Sequence, residues 1–219
     1  MTACNDSTTT PPRDERIEPW CSWNIVACFG DAYRRRHLEG FAEFLSTEPG
    51  AEYRGPLGLG PAEEICLHRR MFEPENQSPG QPPVPSELWP VGITLQLTPL
   101  RDWSERPDLY RSATNPQGLD PERWRATEAE WHYEIFFDTQ TEVDYRASGS
   151  CNFIVLRDLS KSSGEERSVV IYRWEDRGSS SESTRVDASG PFRPAIAPPS
   201  SGLPAPVTWS DILALFRCA

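Results

Sequence analysis

With three histidines and no C-x-x-C pair in 219 residues, the sequence has little with which to hold a metal ion. Its cysteines, Cys4, Cys21, Cys28, Cys66, Cys151 and Cys218, stand apart from one another, so neither a metal nor a cofactor is expected. Basic charge is also short. Against 33 acidic residues there are 22 basic ones, a net charge of −11, and such a chain is repelled by phosphate backbones. Only Tyr33–His37 (YRRRH) is locally basic, and three successive arginines on a helix point in three directions, as on a solvated face. Nucleic acid is therefore not an expected partner. No apolar stretch approaches the ~20 residues of a membrane helix. The nucleophile elbow G-x-S-x-G, a phosphate-binding glycine loop and the zinc motif H-E-x-x-H are all missing.

Proline and aromatic residues are plentiful. The 22 prolines are about a tenth of the chain, roughly twice the usual ~5%. They imply long irregular segments around a modest core. Eight tryptophans and nine phenylalanines supply the large side chains for that core. The pattern divides the chain into a polar, disordered stretch over residues 1–19, a domain over 20–176 with insertions at 74–90 and 99–122, a Pro/Ser-rich linker over 177–206, and a helix over 207–219.

Within the domain the apolar spacing is first helical. Ile25, Val26, Phe29, Ala32 and Tyr33 form one face of a helix starting near Ser22, and Leu38, Phe41, Phe44 and Leu45 one face of a second. Pro61-Ala62-Glu63-Glu64 opens a third helix, with proline at its start and acids at the positive end of its dipole. Its apolar face is Ile65, Met71 and Phe72. The period then changes to two. Val91, Ile93, Leu95 and Leu97 share one face of a strand. So do Trp131, Tyr133, Ile135 and Phe137 in a second. A long third strand runs over 142–157, with Val143, Tyr145, Ala147, Gly149, Cys151, Phe153 and Val155 on one face and a bulge expected at Gly149. Residues 168–176 form a fourth. Near the end, Trp209, Ile212, Leu213 and Phe216 fall on one face of a short helix that Thr208 or Ser210 can cap. Helices followed by a meander define an α+β fold: N-terminal helices packed on a strongly curved, cone-shaped antiparallel sheet, with a short C-terminal helix.

Four segments resemble the nuclear transport factor 2-like superfamily, which includes the SnoaL-like cyclases and the ketosteroid isomerases. CFGDAYRRRHLEGFAEFLS is similar to the family's opening helix pair, with His37 where an Asp is usual. PAEEICLHRRMFE resembles its third helix. SVVIYRWEDRG resembles its last strand, commonly W-x-hydrophobic-x-R-W-x-D; Arg173, Trp174 and Asp176 fit, and Val169 replaces the first Trp. TWSDILALFR is similar to the closing T-W-G-x-I-K-A-L-Y of a subset found in bacterial envelopes, largely uncharacterised lipoproteins. The resemblance implies a cone with a concave ligand-binding cavity, and a homodimer paired through the open sheet face over aromatics such as Phe136 and Tyr172. It does not settle function, because this superfamily hosts enzymes and pure binders alike.

If a cavity exists, a small apolar molecule is the expected ligand, and Tyr33, His68 and Tyr133 are the candidates for its polar lining. Each also reads as an ordinary core side chain. Isomerase chemistry needs a carboxylate base in an apolar pocket facing an acid. No such pair can be placed, because Asp138 and Asp144 sit at strand ends where carboxylates are solvated. No catalytic residue is therefore assigned. The favoured reading is a non-catalytic binding module for a small molecule or a protein; the alternative is a cavity enzyme of the isomerase, dehydratase or cyclase type.

The start, MTACNDSTTTPP, resembles the end of a bacterial lipobox followed by a tether. On that reading Cys4 carries lipid and is the chain's only link to a membrane. The protein would then sit in the cell envelope, where disulfides among the other cysteines become feasible. The alternative is a chance cysteine in a cytoplasmic protein, with Cys28, Cys66 and Cys151 as small buried hydrophobes.

Overall fold

A computed structural model describes residues 19–76, 80–140, 145–162, 168–177 and 208–218, with only the backbone for 19–24. The proposed tether with Cys4, residue Asp144 and nearly all of the proposed linker lie outside the described residues. Three helices come first: α1 (Pro19–Arg35), α2 (Leu38–Phe44) and α3 (Pro61–Phe72). Five antiparallel strands follow: β1 (Pro90–Pro99), β2 (Ser104–Glu105), β3 (Trp124–Thr139), β4 (Tyr145–Asp158) and β5 (Val169–Asp176). A last helix, α4 (Trp209–Ala214), completes the α+β fold, with the helices packed on a strongly curved sheet.

The strands run in the order β1-β3-β4-β5, and β2 continues the β1 edge along β3. On the concave face, alternate residues Trp131, Tyr133, Ile135 and Phe137 of β3 join Ala147, Cys151, Phe153 and Val155 of β4 in the main core. The helices close over them with Phe29, Tyr33, Phe41, Leu67, Met71, Phe72, Trp209 and Phe216. Phe29 is the hub, its ring lying 5.2–5.5 Å from those of Tyr33, Phe41, Phe153 and Trp174. Such aromatic pairs contribute about 0.5–1.5 kcal/mol each beyond their burial.

Several local features differ from the sequence expectations. The helix α1 begins at Pro19 rather than near Ser22. On α3 the inward face is Glu64, Leu67, His68, Met71 and Phe72, with Ile65 only half-buried. Strand β3 starts seven residues before Trp131, at Trp124, because its polar Thr127-Glu128 stretch is paired between β2 and β4. Gly149 carries no bulge and pairs regularly with Tyr133. The β4–β5 register shifts instead between Ile154 and Val155. A glycine only permits a bulge; the extra residue here is Tyr172 of β5, skipped between the Ile154–Arg173 and Val155–Ile171 pairs, so the bulge lies on β5 and β4 keeps its regular alternation. A second shift between Pro90 and Gly92 takes Val91 out of the β1 ladder and leaves it 59% exposed.

Trp103 of the insertion over 99–122 packs against the main core, 6.4 Å from the ring of Trp131, while most of the insertion packs on the convex side of the sheet. There Leu109, Tyr110 and Leu119 meet Trp124, Ala126, Ile154, Leu156 and Val170 in a second, smaller core. The Tyr110 hydroxyl is hydrogen-bonded to the Ala126 backbone, and Arg106 spans Asp108 and Glu128 at 2.7 and 2.6 Å.

Thr208 caps α4: its hydroxyl accepts from the Asp211 backbone at 3.1 Å, and Asp211 accepts from the Thr208 backbone at 3.0 Å. A disulfide joins Cys66 of α3 to Cys218 beyond α4, across 152 positions of sequence. It corrects the reading of Cys66 as a small buried hydrophobe. Cys151 does fit that reading, since it is fully buried, while Cys28 is half-buried and lies outside this bridge. A cross-link closing so long a loop stabilises a fold by about 2–5 kcal/mol.

Candidate functional site

Helical spacing places two polar residues of α3 side by side. Glu64 and His68 are four apart, so both project from one face of the helix, and neither side chain reaches solvent. From α1, Tyr33 reaches the same point. Its hydroxyl is hydrogen-bonded to Nε2 of His68, and Nδ1 of His68 lies 2.9 Å from the Glu64 backbone carbonyl. A carbonyl only accepts, so Nδ1 carries the proton and Nε2 accepts from Tyr33. The imidazole is stacked on Phe41, with ring centres 3.8 Å apart. Burial lowers the His68 pKa to about 3, against the smaller opposing pull of the Glu64 carbonyl. The ring is therefore neutral.

The Glu64 carboxyl lies 3.6 Å from Nδ1 of His68. Neither of its oxygens has a hydrogen-bond partner of good geometry. Burial raises its pKa to about 8, only partly offset by the Tyr53 hydroxyl beside it. Tyr53 arrives from the chain before α3, where the backbone of Arg54 is hydrogen-bonded to β5 at Tyr172 and Trp174. Burial first, then the Glu64 charge, pushes the hydroxyls of Tyr33 and Tyr53 well above their ordinary values. The cluster is thus a neutral carboxyl, a neutral imidazole and two neutral phenols. Gly55 makes room for it: a Cβ there would collide with the Glu64 carboxyl and sit 2.9 Å from the Tyr53 hydroxyl.

The third expected residue, Tyr133, occupies a separate polar group. Its hydroxyl donates to Asp176 Oδ1 at 3.0 Å and accepts from the Trp209 backbone N–H at 3.1 Å. Asp176 Oδ2 in turn accepts from the backbone N–H and the hydroxyl of Ser210, each at 2.7 Å. Between the two groups stands the Trp209 indole. Its centre is 4.0 Å from Trp174, 5.3 Å from both Tyr33 and Tyr133, and 6.0 Å from Phe29. The structure therefore brings Tyr33 and His68 together, sets Tyr133 across the indole from them, and fills the middle of the cone with a side chain of α4.

Sequence reasoning missed Glu64, Tyr53, Asp176 and Trp209 as members of this arrangement. Glu64 had a signal in its four-residue spacing to His68. Its place in the first turn points equally to a dipole-facing acid, a part that Glu63 plays by accepting from the Gly60 backbone at 2.9 Å. Tyr53 carries no periodic signal. Asp138 is exposed, as expected of a carboxylate at a strand end.

A cleft of about 410 Å³ lies elsewhere, lined by Arg111, Gly118, Asp120, Arg123 and Trp124 among others. Arg123 is already engaged there, by Asp158 at 3.1 Å, Glu48 at 2.9 Å and the face of Trp124. Among the described residues no group of His, Cys, Asp and Glu is placed to hold a metal ion, and no helix is long and apolar enough to cross a membrane.

No protein-family model and no curated protein matches the chain. Among solved structures, it is similar to a proposed aromatic ring hydroxylase from Novosphingobium aromaticivorans, at 9% identity and a TM-score of 0.43, over 72% of this chain and 86% of that one. A likeness at that level carries no argument about function.

Proposed function

We propose that this chain is a non-catalytic binding domain of the nuclear transport factor 2-like kind, working in the bacterial envelope. One observation carries the reading: Tyr33, His68 and Glu64 are wholly enclosed, with Trp209 where a substrate would have to lie. A catalytic acid or base must reach its substrate. The compartment is supported by the Cys66–Cys218 bridge, since disulfides persist where the surroundings are oxidising. Lipid at Cys4 belongs to the same proposal, and the mass of the native protein tests it. So does a dimer through the part of the convex face that residues 99–122 leave open, which light scattering tests.

The deciding experiment incubates the purified chain with a panel of small apolar molecules while native mass spectrometry follows binding and chromatography follows turnover. Binding without turnover is expected in the dithiothreitol-treated chain, since with the Cys66–Cys218 bridge intact Trp209 fills the cone. Turnover that disappears in His68→Ala or Tyr133→Phe would overturn the reading. A cavity enzyme of the isomerase, dehydratase or cyclase type is favoured by one feature, the neutral carboxyl of Glu64 beside the neutral imidazole of His68.

A further inference from the structure

The binding-module reading leaves open what the cone binds, and α4 supplies a template. Trp209 fills an aromatic box made by Phe29, Tyr33, Tyr133 and Trp174. Its own backbone nitrogen donates to the Tyr133 hydroxyl at 3.1 Å. Immediately beyond, Asp176 takes two hydrogen bonds from Ser210. The atoms from that nitrogen through Cα and Cβ to the indole are those of an arylethylamine. A free arylethylamine would present an ammonium group where Trp209 and Ser210 present N–H groups, and a carboxylate there prefers a cation to a neutral amide.

The segment is held at both ends. Asp176 clasps its start, and the Cys66–Cys218 bridge fixes its end to α3. Between them only Trp209, Ile212, Leu213 and Phe216 are fully buried. Ordering residues 208–218 costs conformational entropy comparable to what four such side chains contribute. The bridge therefore decides whether α4 stays seated. Cys66 and Cys218 are both half-buried, within reach of a small reductant.

We propose that α4 is a disulfide-latched occupant of the cone, and that the seat it leaves on reduction binds an arylethylamine, with the ring in the Trp209 box and the ammonium on Asp176 and Tyr133. This rests on the non-catalytic reading above and names the ligand class of that site. The unlatching step needs a dithiol. One of its sulfurs forms a mixed disulfide as the Cys66–Cys218 bond breaks, and its second thiol displaces the protein sulfur. Two electrons and two protons end on the cysteines, and the dithiol leaves as a cyclic disulfide.

The test titrates tryptamine calorimetrically into the full chain, oxidised and dithiothreitol-treated, and into Cys218→Ser. Saturable binding is expected in the reduced protein and in Cys218→Ser, at least tenfold tighter than in the oxidised protein. Reduced Asp176→Asn, and 3-methylindole in place of tryptamine, should each weaken it by about tenfold or more, as losing a charged hydrogen bond does. Equal affinity in the oxidised protein overturns the latch. Absence of binding in both unlatched forms overturns the seat. So does loss of cooperative unfolding in both, because the cone then does not stand without α4 fixed. Chromatography of the recovered tryptamine separates the two readings: consumption overturns the non-catalytic function and supports the seat, whereas tryptamine neither bound nor consumed overturns this inference alone.

Discussion

The Tyr33 hydroxyl donates a hydrogen bond to Nε2 of His68 in a site that neither side chain shares with solvent. The bond pins α1 to α3 and fixes the imidazole in one tautomer, since Nδ1 is committed to the Glu64 carbonyl. In so apolar a setting, an unmatched polar atom costs more than the bond itself contributes.

Tyr33→Phe should therefore destabilise the fold by about 1–3 kcal/mol, the cost of leaving Nε2 buried without a donor. His68→Phe with Tyr33→Phe removes both partners and should cost less than the two single changes summed. Denaturant unfolding of the four proteins reads the coupling, and strictly additive losses would refute it.

Stability should fall as pH rises from about 6.5 to 8. The Glu64 pKa is raised from 4.5 to about 8, so between those values the folded protein holds a proton that the unfolded chain has released. Its contribution is complete below pH 4.5 and is lost as pH approaches 8. His68, lowered from 6.5 to about 3, works the other way, and its contribution is lost as pH falls from 6.5 to 3. The two oppose each other between 4.5 and 6.5, leaving Glu64 alone above that window. One proton corresponds to at most about 1.4 kcal/mol per pH unit. Glu64→Gln should flatten the fall above pH 6.5, measured by unfolding midpoints across a pH series; an unchanged slope contradicts the assignment.

Cys218→Ser should lower stability by about 2–5 kcal/mol and abolish the effect of dithiothreitol on the unfolding midpoint. A variant as stable as the parent would show that the bridge holds nothing the core does not already hold.

Gly55→Ala should destabilise by about 1–3 kcal/mol through overpacking, because the added methyl meets the Glu64 carboxyl and the Tyr53 hydroxyl. Pairing it with Glu64→Ala frees the space and should recover part of the loss. Thermal unfolding of the single and double variants decides.

Trp209→Ala should cost about 3–5 kcal/mol, since the indole leaves a void among rings that cannot collapse onto it. Added indole should raise the melting temperature of this variant and leave that of the parent unchanged.

The α+β class, the helix order, the inward faces of β3 and β4 and the apolar stripe of α4 all follow from the spacing of side chains along the chain. Spacing of 3.6 or 2 is a local property, and burial then enforces it. Thr208 as the cap of α4 was legible for the same reason. What only the tertiary structure decided was where those faces go. That Trp209 fills the cone, that Asp176 meets Ser210, that Tyr53 sits beside Glu64 and that Cys66 finds Cys218 are contacts between segments far apart in sequence. No periodicity encodes them. Tyr33 and His68 stood out one by one as polar residues on helices with apolar faces. Their pairing, and the neutral carboxyl beside them, came from three separate stretches of chain excluding water from one point.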